Sequence, residues 1–499
     1  MAPHPELMAP QPRTMEADTE HPSLTGAIKA AMPNQPLLNF SPGPAPLPEP
    51  VMHDIQRELL NFNGTGASVM SMSHRSPEFQ EIFQDTSSVL RRVLEIPDSH
   101  EILFCHGGGH GQFAAVPLNL CGAGKDCRAD YVVHGTWSRR AAAEAAKYAT
   151  VRICAESKDD TALPPRAEWD LDPTASYRYI CSNETVGGVE FHSMPAFDDG
   201  VPLVVDMSSD IASKRIDWSL VGVAFACAPK NIGHAGLTVV VVRRDLLCTR
   251  VAQAECPGVL DWRVNLQSGG MWNTPPTFNV YTTSKVLHYI EDAGGILEME
   301  RRATAKAGAF YAAIEASDGF YATPVTNRAC RSRMNVPFCV MDGDIDATNA
   351  FLRAAYDANM VGFRTKTPFG SSKWLRASFY TGTTVEHAEA LVAFMTAFAA
   401  DYLARAAPAN VDLSDGAHHL VAPCSPPAEP AKRVKISTPT EASRRHGHAD
   451  ATLEGIRHFG TATKIVVAQP TDRSPLTDYV VRAPVRGCMS TGNLPTFGI

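Results

Sequence analysis

The sequence has no C-x-x-C pair, and none of its 12 cysteines stands at zinc-like spacing to a histidine. We therefore predict no bound metal. Scattered thiols are typical of a reducing compartment, where cysteine acts as a small apolar residue. No apolar run reaches the roughly 18–20 residues that a membrane span needs, and the N-terminus is acidic and lacks the apolar core of a signal peptide. These absences predict a soluble, cytoplasmic protein that has no membrane partner.

Positive charge is also scarce. The chain has 45 Lys and Arg against 53 Asp and Glu, a net charge of −8, which argues against nucleic acid as a partner. An acidic protein that handles anions must concentrate its cations in a site. One basic cluster, PAKRVKI at 430–436, is similar to a nuclear-import signal, although a solvated charge cluster is the interpretation we favour.

The 499 residues suggest two or three domains. Residues 1–36 lack periodicity and are predicted to be a disordered leader. From 37 to 305, short apolar runs such as PLVVD and TVVVV alternate with helical patterns, which indicates an α/β domain with a mainly parallel sheet covered on both faces. An α+β pattern over 306–407 predicts a smaller domain, to which the N-terminal segment of the 37–305 unit is expected to contribute, and the composition of 408–499 predicts a mostly disordered extension.

Three segments carry a candidate site. Lys230 follows a buried strand, where burial is expected to lower the pKa of its amine and so favour Schiff-base formation. Asp206 ends the preceding strand, and ligands bind outside the carboxyl ends of such strands. The glycine-rich CHGGGHGQF (105–113) lies between a strand and a helix, as a phosphate-binding loop does. Each has a plain alternative: a surface lysine, a helix-capping aspartate and a tight turn.

Together these segments resemble the phosphoserine aminotransferase family, a branch of the fold-type I pyridoxal-phosphate enzymes. The similarity covers about 38 to 400 and includes these motifs: NFSPGPAPLP, SVMSMSHRSPEF, CHGGGHGQFAAVPLNL, SNETVGGVEF, DMSSDIASKRID, APKNIGHAGLTVVVVRRDLL, NTPPTFNVY, NRACRSRMNVPF and LRASFY. The resemblance implies a fold-type I architecture with a seven-stranded sheet, a homodimer with shared active sites, and pyridoxal 5'-phosphate as cofactor. It also implies transfer of an amino group from glutamate to 3-phosphohydroxypyruvate, which gives O-phosphoserine and 2-oxoglutarate in serine biosynthesis.

The same resemblance assigns the cofactor-binding residues. Lys230 would hold the cofactor as a Schiff base and later move the α-proton, and Asp206 would pair with the pyridine nitrogen. Trp137 would stack on the ring, and Thr185 would bond its phenolic oxygen. The cofactor phosphate would contact main-chain groups of Gly109 and His110, together with Asn273 and Thr274 of the neighbouring subunit.

For the substrate, the resemblance implies that Arg376 clamps the amino-acid α-carboxylate through a bidentate fork. His74 and Arg75 would bind the distal phosphate or side-chain carboxylate across the subunit interface. For Arg376 and Arg75, a solvated surface position is the plain alternative.

The sequence departs from the family pattern in four places. Pro229 replaces a glutamine before the lysine, His110 replaces an arginine, and His234 replaces a proline. The His-Arg pair that should contact the substrate phosphate is missing from TKTPFGSSKW, and the candidates for a substitute cation are Arg364, Lys366 and Lys373. Two alternatives follow: an aminotransferase for an unphosphorylated serine-, alanine- or glyoxylate-type substrate, or a non-catalytic homologue.

Overall fold

The computed structural model describes residues 36–122, 127–364 and 373–406. The leader, apart from Pro36, and the extension after 407 lie outside these residues, as does the basic cluster 430–436. Among the described residues, no helix is long and apolar enough to cross a membrane, and no group of His, Cys, Asp and Glu could hold a metal ion.

A seven-stranded sheet forms the centre of the fold, with the strand order β2-β10-β9-β8-β5-β3-β4. Its strands are β2 His100–Cys105, β3 Arg128–Val133, β4 Thr150–Glu156, β5 Tyr177–Cys181, β8 Leu203–Asp206, β9 Val223–Cys227 and β10 Thr238–Arg243. The pairs from β9 to β4 are parallel, whereas β10 runs antiparallel to both β2 and β9. The predicted mainly parallel, seven-stranded α/β sheet is confirmed.

The sheet is buried on both faces, as its apolar runs predict. Side chains alternate between the faces of a strand, so Val239 and Val241 enter one apolar cluster while Val240 and Val242 enter the other. This arrangement explains why β10 has consecutive valines rather than an alternation of apolar and polar residues.

Helices cover the sheet and continue into a second layer. They are α1 Glu49–Glu58, α2 Pro77–Val93, α3 Gly108–Leu120, α4 Thr136–Ala145, α5 Arg244–Thr249, α6 Trp262–Gln267, α7 Thr277–Asp292, α8 Gly295–Glu315, α9 Ile345–Asp357 and α10 Val385–Ala406. Local sequence sets several starts: the Ser76 hydroxyl accepts a hydrogen bond from the Phe79 N–H, and Pro77 is the first residue of α2.

The second layer has its own apolar core, which includes Phe310, Phe338 and Phe351. Its three-stranded sheet has the order β11-β12-β14, where β11 is Tyr321–Ala322, β12 is Asn335–Val340 and β14 is Leu375–Ser378. The described residues also form two short strand pairs: β1 Leu38–Asn39 with β13 Met360–Val361, and β6 Asn183–Glu184 with β7 Val189–Glu190.

Two features differ from what the sequence predicts. The strand β4 is not among the apolar runs identified in the sequence. The predicted smaller domain begins at 306, whereas the helix α8 begins at Gly295 and crosses that boundary. The expectation of unpaired thiols is also wrong for one pair, because Cys121 and Cys127 form a disulfide with their Cα atoms 5.2 Å apart. Eight other described cysteines are free.

Candidate active site

The carboxyl ends of three neighbouring parallel strands meet at one edge of the sheet. The last residue of β5, Cys181, pairs with the last residue of β8, Asp206, which in turn pairs with Phe225 of β9. Lys230 follows the end of β9 by three residues. The topology therefore brings the predicted lysine and carboxylate to the same edge, where ligands bind in open α/β sheets.

A cavity of about 290 Å³ opens at this edge, close to the lower end of the range for small-molecule sites. Its lining contains most of the residues that the sequence predicts for one subunit: Gly109, His110, Trp137, Thr185, Asp206, Lys230 and Arg376. Its other lining residues are Pro42, Gly43, Pro44, Phe113, Cys181, Asn183, Val186, Ser208, Ser209, Cys227 and Pro229. The cavity thus combines an amine, a carboxylate, an aromatic ring and a guanidinium.

The amine of Lys230 is held in place by Thr185. Its Nζ donates to the Thr185 hydroxyl at 2.9 Å and lies 5.7 Å from the centroid of the Trp137 ring. The expectation that the pKa of this amine is lowered is wrong. Burial lowers it, but the nearby Tyr380, Cys227 and Asp206 side chains more than offset that effect, so the pKa lies above its ordinary value.

Asp206 is buried and well supplied with donors. Its carboxylate accepts a hydrogen bond from the Ser208 N–H at 2.9 Å and from the Tyr179 hydroxyl at 3.3 Å. Burial raises the pKa of Asp206, against the effect of the Ser208 hydrogen bonds and the Lys230 charge. A buried carboxylate of this kind is suited to hold a cationic ring N–H.

The Trp137 ring stands in the first turn of α4, beside His110. The two ring centroids are 5.6 Å apart in an edge-on arrangement. The start of α4 is fixed by Glu184, whose carboxylate accepts hydrogen bonds from the N–H groups of Trp137 at 3.0 Å and Ser138 at 2.7 Å. The predicted stacking residue therefore lies on the cavity wall.

Arg376, on β14, reaches the cavity from the second layer. Its side chain is 5 % exposed, and Nη1 donates to the carbonyl oxygen of Thr185 at 2.7 Å. Burial lowers the pKa of Arg376. A guanidinium nevertheless keeps its charge at neutral pH, so Arg376 is a cation available to a carboxylate.

The glycine-rich segment forms the start of α3. Gly107 has a φ of 91°, and a Cβ there would lie 3.1 Å from the Cα of Gly111, so glycine permits this turn. Gly109 and His110 stand in the first turn of α3, where N–H groups lack intrahelical partners and attract anions. The segment fits the predicted phosphate-binding role.

Four predicted residues do not line the cavity. Asn273 and Thr274 contact His106 of the same chain: Asn273 Nδ2 is 3.1 Å, and the Thr274 carbonyl oxygen 3.2 Å, from His106 Nε2. His74 and Arg75 lie in the turn before α2, where the His74 carbonyl accepts a hydrogen bond from Gln80. These positions are outside the cavity of their own chain.

Two candidates for a substitute cation have other partners. Arg364 donates to the Asn349 side chain at 3.2 Å, and Lys373 pairs with Asp342 at 3.1 Å. Lys366 lies outside the described residues. Pro229 lines the cavity, and its carbonyl accepts a hydrogen bond from the Ala45 N–H at 2.8 Å.

Some site residues escaped the sequence argument. Glu184 acts on a helix 46 residues earlier in the chain, and no local pattern reports such a contact. Cys181 and Cys227 line the cavity because they end β5 and β9, a position that the strand pattern could have identified.

The fold agrees with what comparison with known proteins shows. Residues 37–391 match the family model described as Aminotransferase class-V, so the chain belongs to the class-V aminotransferases. It is 43 % identical over 365 residues to the phosphoserine aminotransferase of Laribacter hongkongensis, covering 73 % of this chain and 98 % of that protein. The Drosophila melanogaster phosphoserine aminotransferase is also 43 % identical over 365 residues, covering 72 % and 98 %.

Solved structures agree. Phosphoserine aminotransferase from Bacillus circulans subsp. alkalophilus superimposes with a TM-score of 0.70 at 34 % identity, covering 74 % of this chain and all of that one. The PLP-bound enzyme from Trichomonas vaginalis gives a TM-score of 0.68 at 34 % identity, covering 72 % and 99 %. Within its class, the chain is a member of the phosphoserine aminotransferase family.

Proposed function

We propose that the protein transfers an amino group from glutamate to 3-phosphohydroxypyruvate, with pyridoxal 5'-phosphate attached to Lys230. The observation that carries this proposal is the shared cavity, in which the Lys230 amine, the Asp206 carboxylate, the Trp137 ring and the Arg376 guanidinium meet. The product would be O-phosphoserine, the intermediate of serine biosynthesis.

The residues present fit the cofactor. The glycine-rich start of α3 suits the cofactor phosphate, and the buried Asp206 suits its ring nitrogen. The Thr185 hydroxyl suits its phenolic oxygen, and the Trp137 ring suits the face of its pyridine ring. When bound, pyridoxal phosphate supplies an electron sink that makes the substrate's α-proton acidic.

The protein's own groups then have separate tasks. Lys230 would hold the cofactor through its amine, would remove the proton from Cα of glutamate in the first half-reaction, and would deliver a proton to Cα of the new amino acid in the second. Arg376 binds the α-carboxylate and so orients the Cα–H bond toward Lys230. Thr185 contacts both residues and keeps their spacing fixed.

We further propose a homodimer in which Asn273, Thr274, His74 and Arg75 of one subunit serve the cavity of the other. The support is that these four residues lie outside the cavity of their own chain, whereas the family resemblance implies that they bind the cofactor phosphate or the substrate.

We also propose a cytoplasmic location and a division into a large domain (37–305) and a small domain (306–407), each with its own apolar core.

One observation favours a second candidate substrate. Because Arg364 and Lys373 are engaged with Asn349 and Asp342, neither of these two candidates replaces the missing His-Arg pair. An unphosphorylated 2-oxo acid is therefore the competing acceptor.

The test is a substrate panel with the purified full chain and pyridoxal phosphate. We expect kcat/KM for phosphohydroxypyruvate to exceed that for pyruvate, hydroxypyruvate and glyoxylate. Lys230→Ala should abolish transamination, and Lys147→Ala, which changes an exposed lysine, should leave it unchanged. Turnover by Lys230→Ala would refute the assignment of Lys230, and equal rates with pyruvate would favour the unphosphorylated acceptor.

A further inference from the structure

Glu184 holds the start of α4 through a set of hydrogen bonds that come from outside the helix. Its carboxylate accepts from the Trp137 N–H at 3.0 Å, and from the Ser138 N–H and the Ser138 hydroxyl, both at 2.7 Å. Helix N-termini are usually satisfied by a side chain just before the helix. Here that position is Gly135, which has no side chain, so a distant carboxylate takes over the task.

The space at Gly135 is reserved for this carboxylate. A Cβ at position 135 would lie 2.5 Å from the Cδ of Glu184, far inside van der Waals contact. Its φ of 169° is ordinary extended backbone, so the requirement for glycine comes from the neighbouring side chain. Glycine at 135 and glutamate at 184 are thus one structural unit.

This unit determines where the Trp137 ring stands. The indole Nε1 is buried and has no hydrogen-bond partner among the described residues. The hydrogen bond from the Trp137 backbone N–H to Glu184 is therefore its polar anchor, while the ring faces the Lys230 amine at 5.7 Å.

The residue after Glu184 anchors the opposite wall. The Thr185 hydroxyl accepts from Lys230 at 2.9 Å, and its carbonyl accepts from Arg376 at 2.7 Å. Glu184 therefore contacts the helix α4, which carries Trp137, and the next residue, Thr185, contacts the Lys230 amine and the Arg376 guanidinium.

We propose that Glu184 is a positioning residue that sets the gap between the Trp137 ring and the Lys230 amine. The inference rests on the proposed function, because this gap is where the cofactor ring would enter. Glu184 does not line the cavity, so it would act through Trp137.

The first measurement needs no cofactor. Acrylamide quenching of tryptophan fluorescence in the full chain, compared with Trp137→Phe, isolates the contribution of one of the six tryptophans. Glu184→Gln keeps the size of the side chain but replaces one acceptor oxygen with an NH₂ group facing N–H donors. We expect Trp137 to become more accessible to acrylamide in Glu184→Gln, and to a smaller degree in Ser138→Ala, which removes a single donor and serves if Glu184→Gln does not fold.

The second measurement is a double-mutant cycle on pyridoxal phosphate affinity. Glu184→Gln should weaken binding about ten- to a hundredfold in the wild-type background. In the Trp137→Phe background, Glu184→Gln should change the affinity by no more than about twofold. The effects of two substitutions are not additive when one residue acts through the other. Glu315→Gln, on the surface, should change neither quantity.

The outcomes separate the two proposals. Unchanged quenching of Trp137 in Glu184→Gln, or an equal loss of affinity in both backgrounds, would overturn the positioning role. Failure of the wild-type protein to bind pyridoxal phosphate would overturn the proposed function instead, and the quenching result would still decide the role of Glu184.

Discussion

The Lys230 amine donates a hydrogen bond to the Thr185 hydroxyl at 2.9 Å. Thr185→Val keeps the shape of this side chain and removes the acceptor. Because a hydrogen bond to a charged group contributes about 1.5–3 kcal/mol, we expect kcat for transamination to fall about ten- to a hundredfold. Thr185→Ser, which retains a hydroxyl, is the matched control and should lose much less. A wild-type kcat in Thr185→Val would show that the contact does not orient Lys230.

The buried carboxylate of Asp206 gives a second prediction. Asp206→Asn preserves the side-chain size but cannot stabilise a protonated ring nitrogen. We expect kcat to fall by roughly 10²–10³-fold, the scale for losing one preorganised electrostatic contact in an active site. Steady-state rates at saturating substrate measure this loss. Asp245→Asn, at the exposed start of α5, should retain full activity, and an active Asp206→Asn enzyme would refute the proposed pairing.

Arg376 is predicted to act in substrate binding. Arg376→Lys keeps the positive charge and removes the planar fork that binds a carboxylate in bidentate fashion. We expect KM for glutamate to rise about tenfold or more, as for the loss of one charged hydrogen bond, with cofactor absorption unchanged. Arg364→Lys is the control. If KM stays constant while cofactor binding is lost, Arg376 has a structural role instead.

Lys306 makes stability depend on pH in an unusual direction. It is buried and donates to the carbonyl oxygens of Tyr380 at 2.9 Å and Thr383 at 2.8 Å, and burial lowers its pKa to about 7 from an ordinary 10.5. Between these values the unfolded chain binds the proton more tightly than the folded one. This group therefore makes the free energy of unfolding rise with pH across that window, by up to about 1.4 kcal/mol per pH unit.

Urea unfolding of the wild type and Lys306→Met between pH 7 and 9 checks this sign. The difference in stability between the two proteins should change in favour of the wild type as pH rises. Lys373→Met, at an exposed ion pair, should show no such trend. A difference that is constant with pH would mean that the Lys306 pKa is not lowered.

The sequence predicts the sheet and the centre of the site for the same reason. Strands buried on both faces are nearly all apolar, so β8, β9 and β10 can be identified in the sequence as apolar runs. Asp206 ends β8, and Lys230 follows the end of β9. The position of Glu184 could not be predicted, because its partners lie 46 and 47 residues away and are joined only by the folded chain. The raised pKa of Lys230 was missed because it depends chiefly on Tyr380, which is distant in the sequence and which no local pattern brings to the amine.

The pairing of β1 with β13 joins Leu38 to Met360, and this has a consequence for synthesis on the ribosome. The seven strands of the central sheet are all translated by Arg243 and can associate as they emerge, since large chains fold unit by unit from the N-terminus. Leu38 and Phe40 belong to the other core and must wait uncovered until more than 300 further residues have been made. During that interval Leu38 and Phe40 lack the core side chains that cover them in the folded protein, so this part of the sheet-to-core packing is completed last.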